Sequence, residues 1–109
     1  MTAGTPLRVS PARQGSTEVL ALVGELDLAS RKVVIDAVTE ALGDGTVAAI
    51  RLDLSALTFL DCSGIGALVT ARTQAEEKGV RVTLSGATGM PLRLLRMTEL
   101  IEAEHTTPA

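Results

Sequence analysis

The hydrophobic positions of this chain follow two spacings, one typical of strands and one typical of helices. Short apolar runs and every-second-residue patterns predict strands at 7–9, 18–26, 47–54, 80–84 and 100–103. Apolar positions three and four residues apart predict helices at 30–42, 63–78 and 90–97. Because strands that alternate with helices form βαβ units, we expect an α/β fold, with a mixed, mostly parallel sheet of about four to five strands and helices packed on it.

Turn residues and chain length set the expected boundaries. Pro11 limits the first strand, and the stretch 55–62 is predicted to be a loop. A chain of 109 residues is long enough for one domain with a real core. We assign that domain to residues 7–104 and expect 1–6 and 105–109 to be flexible tails.

Composition and charge exclude several classes of function. The net charge is −3 and the arginines are scattered, so direct nucleic-acid binding would lack its main driving force. Phe59 is the single aromatic residue, which argues against base stacking. The longest wholly apolar run, 19–23, is far too short to cross a membrane, and residues 1–14 lack the apolar stretch of a signal peptide. We therefore expect a cytoplasmic protein that binds neither nucleic acid nor membrane.

The most informative segment is 61–66, with the sequence Asp-Cys-Ser-Gly-Ile-Gly, which opens a predicted helix. Unpaired N–H groups and the helix dipole favour a phosphate there, so Ser63 is a candidate switch that leaves the fold intact. The alternative is that Ser63 only caps the helix, although Asp61 could cap it instead. Gly64 and Gly66 each cost the helix up to about 1 kcal/mol. Either something approaches the bare backbone there, or helix and sheet pack tightly at this point.

Other chemistries find little support in the same segment. A Gly-x-Gly-x-x-Gly dinucleotide pattern fails at Val69, and a Gly-x-Ser-x-Gly nucleophile motif fails at both glycine positions. The only histidine, His105, lies in a predicted tail, so neither a Ser–His pair nor a metal set is expected. Cys62 is either a small space-filler or an oxidant sensor that lacks a resolving cysteine. We expect no enzymatic activity, no cofactor and no metal.

Two further residues have two possible roles each. Asp27 follows the strand 18–26 and either caps the first helix or contacts a partner beside Ser63. Phe59 belongs either to the core or to the same interface. Because the carboxyl ends of parallel strands meet at one edge of a sheet, the loops that carry these residues share that edge if their strands are parallel neighbours.

Three blocks of sequence carry a family resemblance. Gly24-Glu25-Leu26-Asp27, Leu52-Asp53-Leu54-Ser55 and the longer block 59–66 are similar, in order and spacing, to bacterial anti-sigma factor antagonists, which are STAS domains. The resemblance covers residues 7–103, nearly the whole chain. The Asp-x-Ser-Gly pattern inside the third block is fairly specific.

That resemblance implies a small α/β domain with a regulatory role. Family members bind an anti-sigma factor that is also a serine kinase with a histidine-kinase-like ATP fold, and binding frees the sigma factor. The kinase phosphorylates a position that Ser63 matches, the phosphorylated form no longer binds, and a metal-dependent serine phosphatase resets it. Asp27 matches a family position that contacts the kinase. The expected partner-binding residues are Asp27, Phe59, Asp61, Cys62, Ser63, Gly64, Ile65 and Gly66.

The chain departs from the family pattern at two points. Many relatives carry Ser or Thr where Cys62 stands, so Ser63 is the only acceptor of that pair here. Relatives often continue into a C-terminal helix, for which no pattern follows Ala103. A second interpretation within the same family is a scaffold or accessory subunit of another assembly, such as a stressosome-like or lipid-transporter complex. The same face would then dock without phosphorylation.

Overall fold

The computed structural model describes residues 5–98, which form four strands, three α-helices and one short 3-10 helix. In chain order the elements are β1 (Arg8–Gln14), β2 (Thr17–Leu26), the 3-10 helix (Leu28–Ser30), α1 (Arg31–Leu42), β3 (Ala49–Leu60), α2 (Cys62–Glu77), β4 (Arg81–Ser85) and α3 (Gly89–Met97). The predicted alternation of strands and helices is confirmed. The strand predicted at 100–103 and the C-terminal domain boundary lie outside the described residues.

The sheet is mixed and mostly parallel, as predicted. Its strand order is β1-β2-β3-β4, with β1 antiparallel to β2 and the other two pairs parallel. α1 connects β2 to β3, and α2 connects β3 to β4. Because crossovers between parallel strands are right-handed, both helices lie on one face of the sheet, where they pack against each other.

The core is built from alternating strand positions and one face of each helix. Aliphatic side chains dominate it, and the largest of those that are almost fully enclosed are Leu22, Leu26, Ile50, Leu52, Leu54, Leu60, Leu68, Leu95, Val34 and Val38. Truncation of one such leucine to alanine typically costs about 2–5 kcal/mol. The two strand ends and the helix that carry the candidate site are therefore anchored by buried leucines, namely Leu26, Leu60 and Leu68.

Two predicted strand boundaries are wrong. β1 does not stop at Pro11 but continues to Gln14. A proline fits there because, among the described strands, β1 lies at the edge of the sheet and pairs only with β2. The predicted loop at 55–62 is also wrong over most of its length, because β3 continues to Leu60.

Two β-bulges explain why β3 does not show an unbroken strand pattern. β3 has 12 residues, whereas the facing strand β2 has 10. Consecutive residues Ser55 and Ala56 are both exposed, which interrupts the alternation that marks a strand. The register jumps from Ala21–Asp53 to Val23–Ala56, and again from Gly24–Leu57 to Glu25–Phe59. With the extra residues absorbed, both strands end at the same level of the sheet.

Candidate functional site

β2 and β3 end side by side, because Leu26 is the register partner of Leu60. Asp27 and Asp61 are therefore the first residues beyond two neighbouring parallel strands, and each opens a helix. The 3-10 helix contacts α2, so the two helix starts are adjacent. The structure thus brings together the two loops that the parallel arrangement predicts at one sheet edge.

The first helix start, at Asp27, is a closed hydrogen-bonded unit. The Asp27 carboxylate accepts from the Ser30 backbone N–H at 3.2 Å, and the Ser30 hydroxyl accepts from the Asp27 backbone N–H at 3.0 Å. The same hydroxyl lies 3.0 Å from the Glu25 carbonyl oxygen, to which it can donate. Ser30 is only 8% exposed. This serine is part of a capping box. Asp27 caps the 3-10 helix that leads into α1, whereas the N-cap of α1 itself is Ser30, so the predicted capping role of Asp27 is found one helix earlier than expected.

The second helix start, at Asp61, leaves its serine out of the cap. The Asp61 carboxylate accepts from the Gly64 backbone N–H at 2.9 Å. Ser63 is the second residue of α2 and is half-buried. The alternative that Ser63 merely caps the helix is therefore wrong, because Asp61 is the N-cap. A hydroxyl remains at the positive end of a 16-residue helix without being needed to start it.

The two glycines of this helix start face different surroundings. A Cβ atom on Gly64 would lie 2.7 Å from both the Leu26 carbonyl oxygen and the Leu60 Cδ1 atom. Tight packing of helix on sheet therefore accounts for Gly64. A Cβ atom on Gly66 would meet nothing within 4 Å, so tight packing does not account for that residue. Because Gly66 has no side chain, the backbone of α2 is uncovered at this position, one turn after Ser63.

The remaining predicted site residues are divided between surface and interior. Cys62 is an exposed free thiol, so the prediction that it fills space inside the protein is wrong. Ile65 is half-buried and packs against the core. Phe59 is half-buried, stands opposite Glu25 in the sheet, and is not among the core residues. Phe59 is therefore not part of the buried core, and its interface role stays a prediction.

Neither a cluster of metal-ligating side chains nor a membrane-spanning helix is found in the described part of the chain. Across residues 5–98, no three side chains of the His, Cys, Asp or Glu type are clustered so that they could hold a metal ion. No helix in the same range is long and apolar enough to cross a membrane.

Sequence reasoning missed a surface groove beside the second helix start. This depression of about 460 Å³ lies between the end of β3, the start of α2 and one side of α3. We call it the methionine groove, and its lining residues are Leu60, Asp61, Cys62, Met90, Arg93, Leu94 and Met97. A signal was present, because Met90, Leu94 and Met97 are spaced four and three residues apart, as on one helix face.

The fold and site together define a small α/β domain that presents a serine at a helix start beside two parallel strand ends. The sequence matches the STAS domain family over residues 9–109, and the chain belongs to that family. The family predicted from the three sequence blocks is thereby confirmed. No curated protein matches the sequence.

Solved structures with the same fold come from bacteria and from a mammal. The phosphorylated form of the Bacillus cell fate determinant SpoIIAA has a TM-score of 0.65 at 22% identity, over 86% of this chain and 84% of that one. An anti-sigma factor antagonist from Mycobacterium paratuberculosis has a TM-score of 0.70 at 23% identity, over 98% of this chain and 92% of that one. The murine anion transporter Slc26a9 has a TM-score of 0.69 at 20% identity, over 79% of this chain but only 14% of the transporter.

Proposed function

We propose that this protein is a bacterial anti-sigma factor antagonist that docks on an anti-sigma factor serine kinase and is released when Ser63 is phosphorylated. The observation that carries the proposal is the hydrogen bonding at the start of α2. Asp61 caps the helix there, and the Ser63 hydroxyl takes no part in that cap. Two structures of the same fold are named as anti-sigma factor antagonist and phosphorylated SpoIIAA, which supports the assignment. Such a partner acts on transcription in the cytoplasm, where we expect this protein to act.

The helix start can accommodate a phosphate without loss of the fold. Esterification of Ser63 breaks neither the Asp61 cap nor the capping box at Asp27. The N-terminal dipole of α2 favours the added charge by roughly 0.3–1 kcal/mol in an exposed geometry. We therefore expect the phosphorylated protein to stay folded, with the effect of the phosphate confined to docking.

Docking is sensitive to that phosphate because the partner would cover it. Phosphorylation adds a charge of about −1.5 to −2 and three acceptor oxygens where a small hydroxyl stood. Burial of such a charge without a counter-ion costs several kcal/mol, and each ~1.4 kcal/mol lowers affinity about tenfold. The complex would therefore separate after modification.

The two proteins supply different groups to the phosphoryl transfer. The kinase supplies ATP, magnesium and the catalytic base, whereas this chain supplies only the acceptor Ser63. A metal-dependent serine phosphatase would restore the free hydroxyl. We propose that the docking face consists of the two helix starts with the residues around them, namely Asp27, Phe59, Asp61, Cys62, Ser63, Gly64, Ile65 and Gly66.

Mass spectrometry with purified components tests the proposal. The intact chain is incubated with ATP alone and then with each candidate anti-sigma factor kinase, and we expect one phosphate to appear only with a kinase. Ser63→Ala should bind that kinase and gain no mass. Ser63→Glu should bind more weakly while its circular dichroism spectrum is unchanged. A phosphate at another residue, or an alanine variant that no longer binds, would contradict the role given to Ser63.

A second candidate function is an accessory domain of a larger assembly. The likeness to Slc26a9, of which this fold is a small part, favours it. The same face would then dock on its assembly whether or not Ser63 is modified. Equal binding of the wild type and Ser63→Glu to such an assembly, with no kinase able to modify Ser63, would favour this second function.

A further inference from the structure

The methionine groove combines an apolar floor with exposed sulfur-containing walls. Leu60 is buried and Leu94 half-buried, whereas Met90 is 43% and Met97 78% exposed. Single exposed apolar side chains are ordinary on protein surfaces, but these two methionines converge on one depression. Methionine side chains are flexible and polarisable, so they adapt to the shape of whatever binds between them.

The groove carries one positive charge that has no ion-pair partner among the residues that the structure describes. Arg93 is exposed on its rim, and within residues 5–98 no carboxylate lies within ion-pair distance of it. The single acid of the groove, Asp61, is held by the Gly64 N–H at the positive end of α2. α3 itself contains Arg93 and Arg96 and no acidic residue. The groove therefore suits an apolar binding partner that carries a carboxylate.

The groove is also continuous with the proposed docking face. Cys62 lines the groove and is the residue directly before Ser63. A partner that contacts both Cys62 and Ser63 therefore also contacts one edge of the groove. Apolar grooves are a common binding site for the apolar face of an amphipathic helix, whose anchors are spaced three, four and seven residues apart.

We propose that the methionine groove receives an apolar helix face of the anti-sigma factor kinase, with a carboxylate of that helix paired to Arg93. This inference rests on the proposed function, because it names where the same kinase anchors. The groove holds the partner, and the phosphate on Ser63 acts at its rim. Affinity and switching are then separable, since one depends on α3 and the other on the start of α2.

A charge-reversal pair on α3 tests the anchor. Arg93→Glu is compared with Arg96→Glu, which makes the same charge change one turn further along, at an exposed residue outside the groove. The probe is the kinase that esterifies Ser63, titrated by isothermal calorimetry against the full-length chain. We expect Arg93→Glu to weaken binding by about tenfold or more, and Arg96→Glu by less than about twofold. Circular dichroism of both variants verifies that they are folded.

Methionine oxidation gives a second readout that needs no substitution. The chain has three methionines, and two of them, Met90 and Met97, line the groove. Dilute peroxide is applied to the free chain and to the kinase complex, and sulfoxide at each methionine is followed by peptide mass spectrometry. We expect Met90 and Met97 to oxidise readily in the free chain and several-fold more slowly in the complex.

The outcomes separate this inference from the proposed function. If no kinase esterifies Ser63, both fail. If a kinase esterifies Ser63 and binds, while Arg93→Glu binds as well as the wild type and both methionines stay reactive in the complex, the proposed function stands and the groove is not the anchor. If Met90 and Met97 are already protected in the free chain, the groove is filled by the chain itself or by a second copy, and the proposal is overturned.

Discussion

Two helices begin next to each other at the ends of β2 and β3. Each start contains an aspartate followed by a serine, but the serine has a different role in each. Asp27 and Asp61 each accept a hydrogen bond from the backbone N–H three residues later. At the first start that later residue is Ser30, whose buried hydroxyl accepts a hydrogen bond from the backbone N–H of Asp27. At the second start the later residue is Gly64, and the serine stands one position earlier, outside the cap.

The two serines differ by one position relative to the capping aspartate, and this difference decides whether the serine takes part in the cap. A serine three residues after the cap completes a capping box, so its hydroxyl contributes to folding. A serine two residues after the cap, such as Ser63, is not needed for the cap. The glycine that occupies the third position at Asp61 then allows the helix to sit directly on the end of β2.

The largest expected effect on stability distinguishes Gly64 from Gly66, the two glycines at the start of α2. In Gly64→Ala the new Cβ would lie 2.7 Å from a backbone oxygen of β2, so the start of α2 must shift. We expect the free energy of unfolding to fall by about 1–3 kcal/mol, measured by urea denaturation. Gly66→Ala is the matched control and should be neutral or stabilising by up to about 1 kcal/mol. Equal midpoints for both variants would show that the close contact at Gly64 relaxes at little cost.

The difference between the two serines is tested by a pair of alanine variants. Ser30→Ala removes the side-chain acceptor of the Asp27 N–H and should cost about 0.5–2 kcal/mol of folding free energy. Ser63→Ala should change stability by no more than about 0.5 kcal/mol. Both are measured by thermal and urea unfolding of the full chain. A loss at Ser63 as large as that at Ser30 would mean that the two helix starts do not differ as described.

The cap of the second start predicts a smaller effect that depends on hydrogen bonding more than on charge. Asp61→Ala leaves the Gly64 N–H without its acceptor and should cost about 1 kcal/mol. Asp61→Asn keeps an oxygen at the same place and should recover most of that loss. If asparagine is as damaging as alanine in urea unfolding, the attraction between the Asp61 charge and the helix dipole stabilises the helix start more than the hydrogen bond does.

The smallest expected effect comes from a third aspartate that holds a loop, at the opposite ends of the strands. The Thr46 hydroxyl at 2.6 Å, the Thr46 N–H at 2.8 Å and Arg13 at 3.2 Å lower the pKa of Asp44 from 3.8 to about 2. Because the folded pKa lies below the ordinary one, this contribution to stability is present above pH ~4 and is lost as pH falls from 3.8 through 2.

The check is a comparison of urea midpoints at pH values from 5 to about 2 for the wild type and Asp44→Asn. The asparagine variant should lose slightly less stability than the wild type across that interval. Asp44 is exposed to solvent, so the difference should be small, and parallel curves would show that solvent screening cancels it.

Elements with an unbroken period were predictable from the sequence to within a residue. β2 and the two helices α1 and α2 follow the predicted ranges closely, because burial on one face imposes a regular spacing of apolar residues. The second half of β3 was not predictable in the same way. Its bulges break the alternation, and a bulge is defined by pairing with a distant strand.

The helix start at the candidate site was predictable from the sequence, whereas the capping role of each residue there was predictable only in part. The segment 61–66 was identified because a helix start after a strand has a recognisable pattern. Whether Asp61 or Ser63 caps the helix depends on the residue at which the first turn begins, and the two possibilities differ by less than one turn of helix. The methionine groove depends on where α3 rests against the end of β3, which no local pattern encodes.

The bulged strand has a consequence for how the site is encoded. Since β3 carries more residues than β2, the position of Asp61 beside Asp27 depends on a count of residues rather than on their chemistry. Removal of one residue between Ser55 and Thr58 would move the side chains of the following strand residues to the opposite face of the sheet. The start of α2 would then be turned relative to the end of β2. A change in the length of this strand would therefore alter the proposed docking face even if every residue of that face were retained.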